Sequence, residues 1–140
     1  VEAMYSKSMK AEEVVVNRYE VAKGGRGMRE MLKPASAIMG RGLGGKVAFI
    51  TDGRLSGGTH GFVVGHIKPE AAEGRLITII EDGNSILIDA NSDKLVLNIS
   101  DDEISTRLSK WVNPKTPPRK GVLAKFARNV KSASLGAVTD

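Results

Sequence analysis

The chain contains no cysteine, two histidines, one tryptophan, two tyrosines and three phenylalanines. Each shortage excludes something. Without cysteine there is no disulfide, and no cysteine-ligated metal cluster is supplied by this chain alone; a reducing compartment fits. The two histidines, His60 and His66, lie six apart rather than at the i, i+4 spacing of a zinc-binding helix. Both read as ordinary loop or core residues. No apolar run approaches the roughly 20 residues of a membrane span. The opening "VEAMYSKSMKAEE" lacks the apolar stretch of a secretory signal.

What is present is a 140-residue chain, 41% hydrophobic and 26% charged, a composition expected of one soluble globular domain. Its net charge of +5 is uneven, with seven Lys/Arg and no acid from Lys110 to Lys131. That stretch reads as a solvated helix face and loop. Binding of an anionic polymer is the alternative. Aromatic interleaving is confined to Trp111 and Phe126, and no nucleic-acid motif appears, so no nucleic-acid partner is expected.

Periodicity divides the chain into short elements. "EEVVVNRY" reads as a strand buried on both faces, and "KVAFIT" as a second buried strand. "MREMLK" places Met28, Met31 and Leu32 at helical spacing, with Pro34 ending or bending that helix before a second one, "ASAIMG". "GFVVGHI" fits strand or helix. "RLITII" and "SILIDA" read as strands joined by the turn "EDGN", and "KLVLNI" as a further strand. Ser100 and Glu103 form a capping box opening a helix with Ile104, Leu108 and Trp111 on one face. "NPKTPPRKG" is a connector stiffened by prolines, and "VLAKFARNV" a last amphipathic helix. The fold class is mixed α and β. A curved or barrel-like mixed sheet flanked by short helices suits the hairpins of the second half.

Two glycine-rich loops stand where chemistry is expected. "AKGGRGM", with Gly24 and Gly25, runs towards Glu30; "DGRLSGGT" follows a buried strand and carries Ser56. Both suit a strand–loop–helix context in which backbone N–H groups hold an anion, and neither matches the phosphate-loop pattern. A carboxylate such as Glu30 suits a hard cation like Mg²⁺, although the local pattern alone favours an exposed helical glutamate. Ser56 lacks a G-x-S-x-G setting. A serine hydroxyl needs a metal, a base or focused N–H dipoles before it acts as a base, and Gly57 and Gly58 supply such N–H groups. The methionines read as core fillers.

The segment "GMREMLKPASAIMGRGLGGKVAFITDGRLSGGTHGFVVGHIKPEAAEG" resembles the C-terminal part of the dihydroxy-acid and phosphogluconate dehydratase family, and "GVLAKFARNVKSASLGAVTD" resembles its carboxy terminus. The resemblance runs from about Glu13 to Asp140, and "SGGTHGFVVGHI" is more similar to the branched-chain enzyme than to the phosphogluconate one. It implies a hydro-lyase that converts a 2,3-dihydroxy carboxylate to a 2-oxo acid in branched-chain amino-acid biosynthesis. It implies Mg²⁺ on the substrate's carboxylate and 2-hydroxyl, an iron–sulfur cluster as Lewis acid at the 3-hydroxyl, and a serine alkoxide that takes the C2 proton. By this alignment Ser56 is the base and Glu30 a Mg²⁺ ligand. Gly57, Gly58 and Thr59 form the substrate or anion loop, and Asp52, Arg54, Gly24 and Gly25 support it.

The cluster and the remaining Mg²⁺ ligands belong, on this resemblance, to an upstream domain absent here. Residues 1–140 are then a serine-bearing C-terminal domain that starts mid-domain and is inactive alone. A homo-oligomer in the cytoplasm or an organelle matrix is expected, with no membrane partner. A sugar-acid or phosphogluconate dehydratase is the alternative within the family, and a non-catalytic module binding anionic partners the alternative outside it. Val21, Ala22 and Arg26 stand where the family loop has one glycine and two prolines, Leu55 where it has phenylalanine, and "AEGRLITII" carries Arg75 in place of a Gly-Gly-Pro-Ile pattern. Valine is costly where φ is positive, so a differently shaped loop is expected.

Overall fold

A computed structural model describes residues 9–23, 27–114 and 120–140. Strands β1 (Val14–Asn17), β2 (Ala48–Thr51) and β3 (Phe62–Val64) form one parallel sheet in the order β1-β2-β3. The register aligns Val15 with Phe49 and Phe49 with Val63. Helix α1 (Leu32–Gly40) lies on the connection between β1 and β2. Met9, Met31, Ile38, Val47 and Phe49 form the buried core beneath it, with Val15, Leu43, Leu55 and Val63 packed against them. Two methionines thus fill core space, as their flexible side chains suit.

The expectation of a helix from Met28 broken at Pro34 is corrected. Met28–Glu30 is not helical, and a single helix runs from Leu32 to Gly40 through the proline. Pro34 falls in the first turn, where N–H groups have no intrahelical acceptor, so its missing donor costs nothing. Met31, which flanks the helix start, is buried and bonded through its N–H to the Arg54 carbonyl (3.1 Å). The tertiary contact holds Glu30 extended and outside the helix.

The second half departs further. "RLITII" is not a strand; Leu76–Ile79 is a 3₁₀ turn with Ile77, Thr78 and Ile79 buried. Its carbonyls find a guanidinium instead of a neighbouring strand: Arg18 Nη1 donates to Ile77, Thr78 and Ile80 O at 2.6–3.0 Å. Buried carbonyls need a partner of some kind, and one arginine meets three. "EDGN" is accordingly a turn but not a hairpin. The hairpin pairs β4 (Ile86–Asp89) with β5 (Lys94–Leu97) around residues 90–93. Asp89 organises that loop, accepting from Asn91 N and the Ser92 hydroxyl.

Helix α2 (Asp101–Lys110) starts where the capping pattern placed it, with the Ser100 hydroxyl accepting from Glu103 N (3.2 Å). Three acids in its first turn and Arg107 and Lys110 in its last suit the helix dipole. Trp111 caps it and donates from its indole to the Tyr19 hydroxyl (3.2 Å). Helix α3 (Gly121–Asn129) buries Ala124 and is followed by Val130, also buried. The class is mixed α and β. Among the described residues the two sheets are separate and open, and neither closes into a barrel. No helix among them is long and apolar enough to cross a membrane.

Candidate active site

Both loops singled out from the sequence leave the carboxyl ends of neighbouring parallel strands. Residues 18–31 follow β1 and residues 52–61 follow β2. In open parallel sheets that end is where ligands bind, because loops diverge there and leave a crevice. A bridge fixes the two loops to each other. Glu30 pairs with Arg54 in parallel, and Met31 N donates to Arg54 O. Ser56 follows Arg54 by two residues, roughly 7 Å of extended chain. Glu30 and Ser56 therefore share one edge of the molecule.

The side chains around the bridge are polar and open. Arg54 Nε donates to the Met28 carbonyl (2.8 Å), and its Nη2 lies 3.9 Å from Glu30 Oε1. Both side chains are about half exposed, so the ion pair adds little stability. Leu55 packs against the core, and Ser56 after it is half-buried. Residues 56–59 form a turn closed by Thr59 N to Ser56 O (3.1 Å), with Ser56 Oγ and Thr59 Oγ1 at 3.2 Å. Gly57 and Gly58 at its centre are exposed.

The glycines of this loop differ in why they are glycine. Gly61 has φ +101°, and an added Cβ would sit 2.8 Å from the Gly44 carbonyl oxygen. At Gly53 it would sit 3.0 Å from Glu20 Cβ. At Gly57 it would meet nothing within 4 Å, at Gly58 only Ser56 Oγ at 4.0 Å, and neither has positive φ. Nothing among the described residues demands those two.

Asp52 lies at the root of the loop, fully buried. Its Oδ2 accepts from Tyr19 N and Ala71 N (both 3.0 Å) and its Oδ1 from Glu20 N (3.2 Å). Burial raises its pKa above the ordinary carboxylate range despite these N–H bonds, and the nearby Glu70 charge acts in the same sense. Asp52 is a structural support, tying the roots of both loops together. Gly24, Gly25 and Arg26 lie outside the described residues. Val21 and Ala22 are buried, and neither has positive φ; among the described residues of this loop the left-handed positions fall at Tyr19, Gly27 and Met28. The exchange of glycine for Val21 is thus met by core packing. His60 and His66 are exposed.

As a metal site the arrangement is partial. Glu30 offers one accessible carboxylate, and no group of three or more His, Cys, Asp or Glu among the described residues could hold an ion. One carboxylate suits Mg²⁺ when further oxygen ligands come from elsewhere, and Arg54 would have to yield to it. No cysteine is present here to ligate an iron–sulfur cluster. Sequence reasoning missed one residue near the site. Glu70 is buried behind Asp52, and nothing in "GHIKPEA" distinguishes it from a surface glutamate.

A family model described as "Dihydroxy-acid/6-phosphogluconate dehydratase C-terminal" matches residues 1–137. The chain belongs to that family. It is 59% identical over 140 residues to a dihydroxy-acid dehydratase of Vesicomyosocius okutanii, covering 100% of this chain and 25% of the relative. It is 61% identical over 128 residues to one of Methylococcus capsulatus (91% and 23% covered) and 60% identical over 142 to one of Chloroflexus aurantiacus (100% and 25%). The chain spans about a quarter of the length of these dehydratase relatives.

Proposed function

We propose that this dehydratase-family chain is the serine-bearing portion of a dihydroxy-acid dehydratase, with Ser56 as the base. In that reaction a 2,3-dihydroxy carboxylate loses the proton at C2 and the hydroxyl at C3 as water. The resulting enol tautomerises to a 2-oxo acid, serving branched-chain amino-acid biosynthesis. The observation that carries the reading is the unexplained smallness at Gly57 and Gly58, directly beside the half-buried Ser56. Open space flanked by N–H donors is what an anionic substrate needs in order to approach closely. The names of the relatives supply the substrate class and favour it over a sugar acid or 6-phosphogluconate.

Each residue then has a task. Ser56 Oγ, held by Thr59, takes the C2 proton. The N–H groups of Gly57 and Gly58 lower the cost of negative charge on that oxygen and on the substrate carboxylate. Arg54 orients Glu30 and adds positive field. Glu30 would be one Mg²⁺ ligand, with the others from the upstream portion; bound there, Mg²⁺ would supply the charge that acidifies the C2–H. The iron–sulfur cluster is held wholly upstream.

The same reading explains the open sheets. Leu87 and Val96 are cross-strand partners exposed on one face of the hairpin, while Ile86, Ile88, Leu95 and Leu97 line the other. A two-stranded sheet apolar on both faces needs cover on both. A cleft of about 630 Å³ runs along the free edge of β1, between Val14–Asn17 and Ile80–Ile86. Strands of the upstream portion would fill it and join the two sheets into the barrel-like sheet expected from the sequence. Homo-oligomerisation and a cytoplasmic or organelle-matrix location belong to the same proposal.

The test is Ser56→Ala in the full-length enzyme, with 2-oxo acid formation measured on branched-chain dihydroxy acids and on sugar acids. Loss of a positioned base lowers kcat by about 10²–10⁴-fold with the fold unchanged. Turnover at the parent rate would reject Ser56 as the base. Preference for a sugar acid would reject the substrate class.

A further inference from the structure

Two buried acids stand behind the serine loop, and the reaction as derived uses neither. Asp52 is 0% exposed and Glu70 2%. No ion pair among the described residues includes either one. Glu70 Oε1 accepts from the Ser132 hydroxyl (2.6 Å) and from Ala133 N (2.9 Å). Its Oε2 is buried with no hydrogen-bond partner among the described residues. Burying a carboxylate is costly, and seating residues 132–133 does not by itself require one.

Its place in the chain supplies a reason. Glu70 precedes Ala71, whose N–H donates to Asp52 Oδ2. The other Asp52 bonds hold Tyr19 N and Glu20 N, at the root of the loop that carries Glu30. Asp52 itself opens the loop that carries Ser56. Three segments distant in sequence, 19–20, 70–71 and 132–133, thus meet at two carboxylates in series.

We propose that Glu70 is a positioning residue. By seating Ser132 and Ala133 it fixes the Ala71 N–H against Asp52, and through Asp52 it sets the spacing between Ser56 and Glu30. The kinetic part of this inference rests on the dehydratase reading; the mechanical coupling of tail to loop does not.

The experiment uses the full-length enzyme carrying Glu70→Ala, Ser132→Ala, Glu70→Gln or the first two combined. It reads kcat and KM for a branched-chain dihydroxy acid, and deuterium uptake in segments 18–30 and 52–59. Because small displacements of reacting groups cost up to about 100-fold in rate, Glu70→Ala is expected to lower kcat by at least about tenfold with KM within about twofold. Uptake at 52–59 rises with it. Ser132→Ala acts in the same direction and more weakly. Glu70→Gln keeps an oxygen for both donors and recovers most of the loss. The double variant is no worse than Glu70→Ala, since both break one link.

The proposal is overturned if Glu70→Ala folds and leaves both kcat and uptake at 52–59 unchanged. Should Glu70→Ala not fold, Ser132→Ala decides: uptake raised at 131–138 alone overturns the proposal, and uptake raised at 52–59 as well supports it. Full turnover in Ser56→Ala would remove the dehydratase reading and leave the exchange result standing.

Discussion

At Gly61 an added methyl group would press on the Gly44 carbonyl at 2.8 Å, whereas at Gly57 it would meet empty space. The ends of loop 52–61 are set by the fold: Asp52 by three N–H groups, Gly53 by Glu20, Gly61 by the turn after α1. Its middle, residues 56–59, is held by one backbone bond and one hydroxyl pair. Conserving space at the ends serves stability. Open space in the middle is what the proposed reading uses, since it leaves room there for a substrate to approach Ser56.

That contrast can be broken in order of expected effect. Gly61→Ala combines a left-handed backbone with a clash against main chain, so it should destabilise the β2–β3 region by about 2–4 kcal/mol. Amide exchange of Phe49–Thr51 in the full-length enzyme would show it. An unchanged rate there would mean the loop end is as open as its middle.

Asp52→Asn replaces an acceptor of three N–H groups by a side chain with one oxygen, at a cost of about 1–3 kcal/mol near neutral pH. The wild-type group also has a pH signature. Its folded pKa is raised, so the stability it contributes is full below about pH 4 and declines as pH rises through the raised value. Chemical denaturation of the two proteins across pH 3–7 checks the sign. The asparagine variant should lack that decline.

Gly57→Ala is the smallest effect on stability and the sharpest on function. Stability should stay within about 0.5 kcal/mol of the parent, as at any open surface site. On the proposed reading the added methyl group occupies space the substrate needs, so KM should rise at least about tenfold. Equal kinetics for parent and variant would show that the space is incidental.

Much of this site was legible in the sequence, for local reasons. "DGRLSGGT" after a buried strand marks a loop, because glycine and aspartate punctuate chains through their own backbone preferences. Ser100 and Glu103 mark a helix start because capping is settled within four residues. The failures share a different origin. Met28–Met31 has helical spacing, but the Arg54 carbonyl claims the Met31 N–H. Leu76–Ile79 has strand composition, but Arg18, some sixty residues earlier, meets its carbonyls. Glu70 reads as a surface acid because its donors, Ser132 and Ala133, lie at the far end of the chain.

The sequence alone therefore determined the elements whose hydrogen bonds close locally, the glycine-rich loops, the absence of any cysteine ligand and, through long shared motifs, the family. Only the tertiary structure decided that the two loops emerge side by side from parallel strands, that Glu30 stands extended beside Arg54, and that two buried acids lie behind them. The physical reason is range. Caps and turns are fixed by neighbours a few residues away, while a carboxylate's partners are fixed by what folding brings within 3 Å, and the pattern of residue types does not encode that distance.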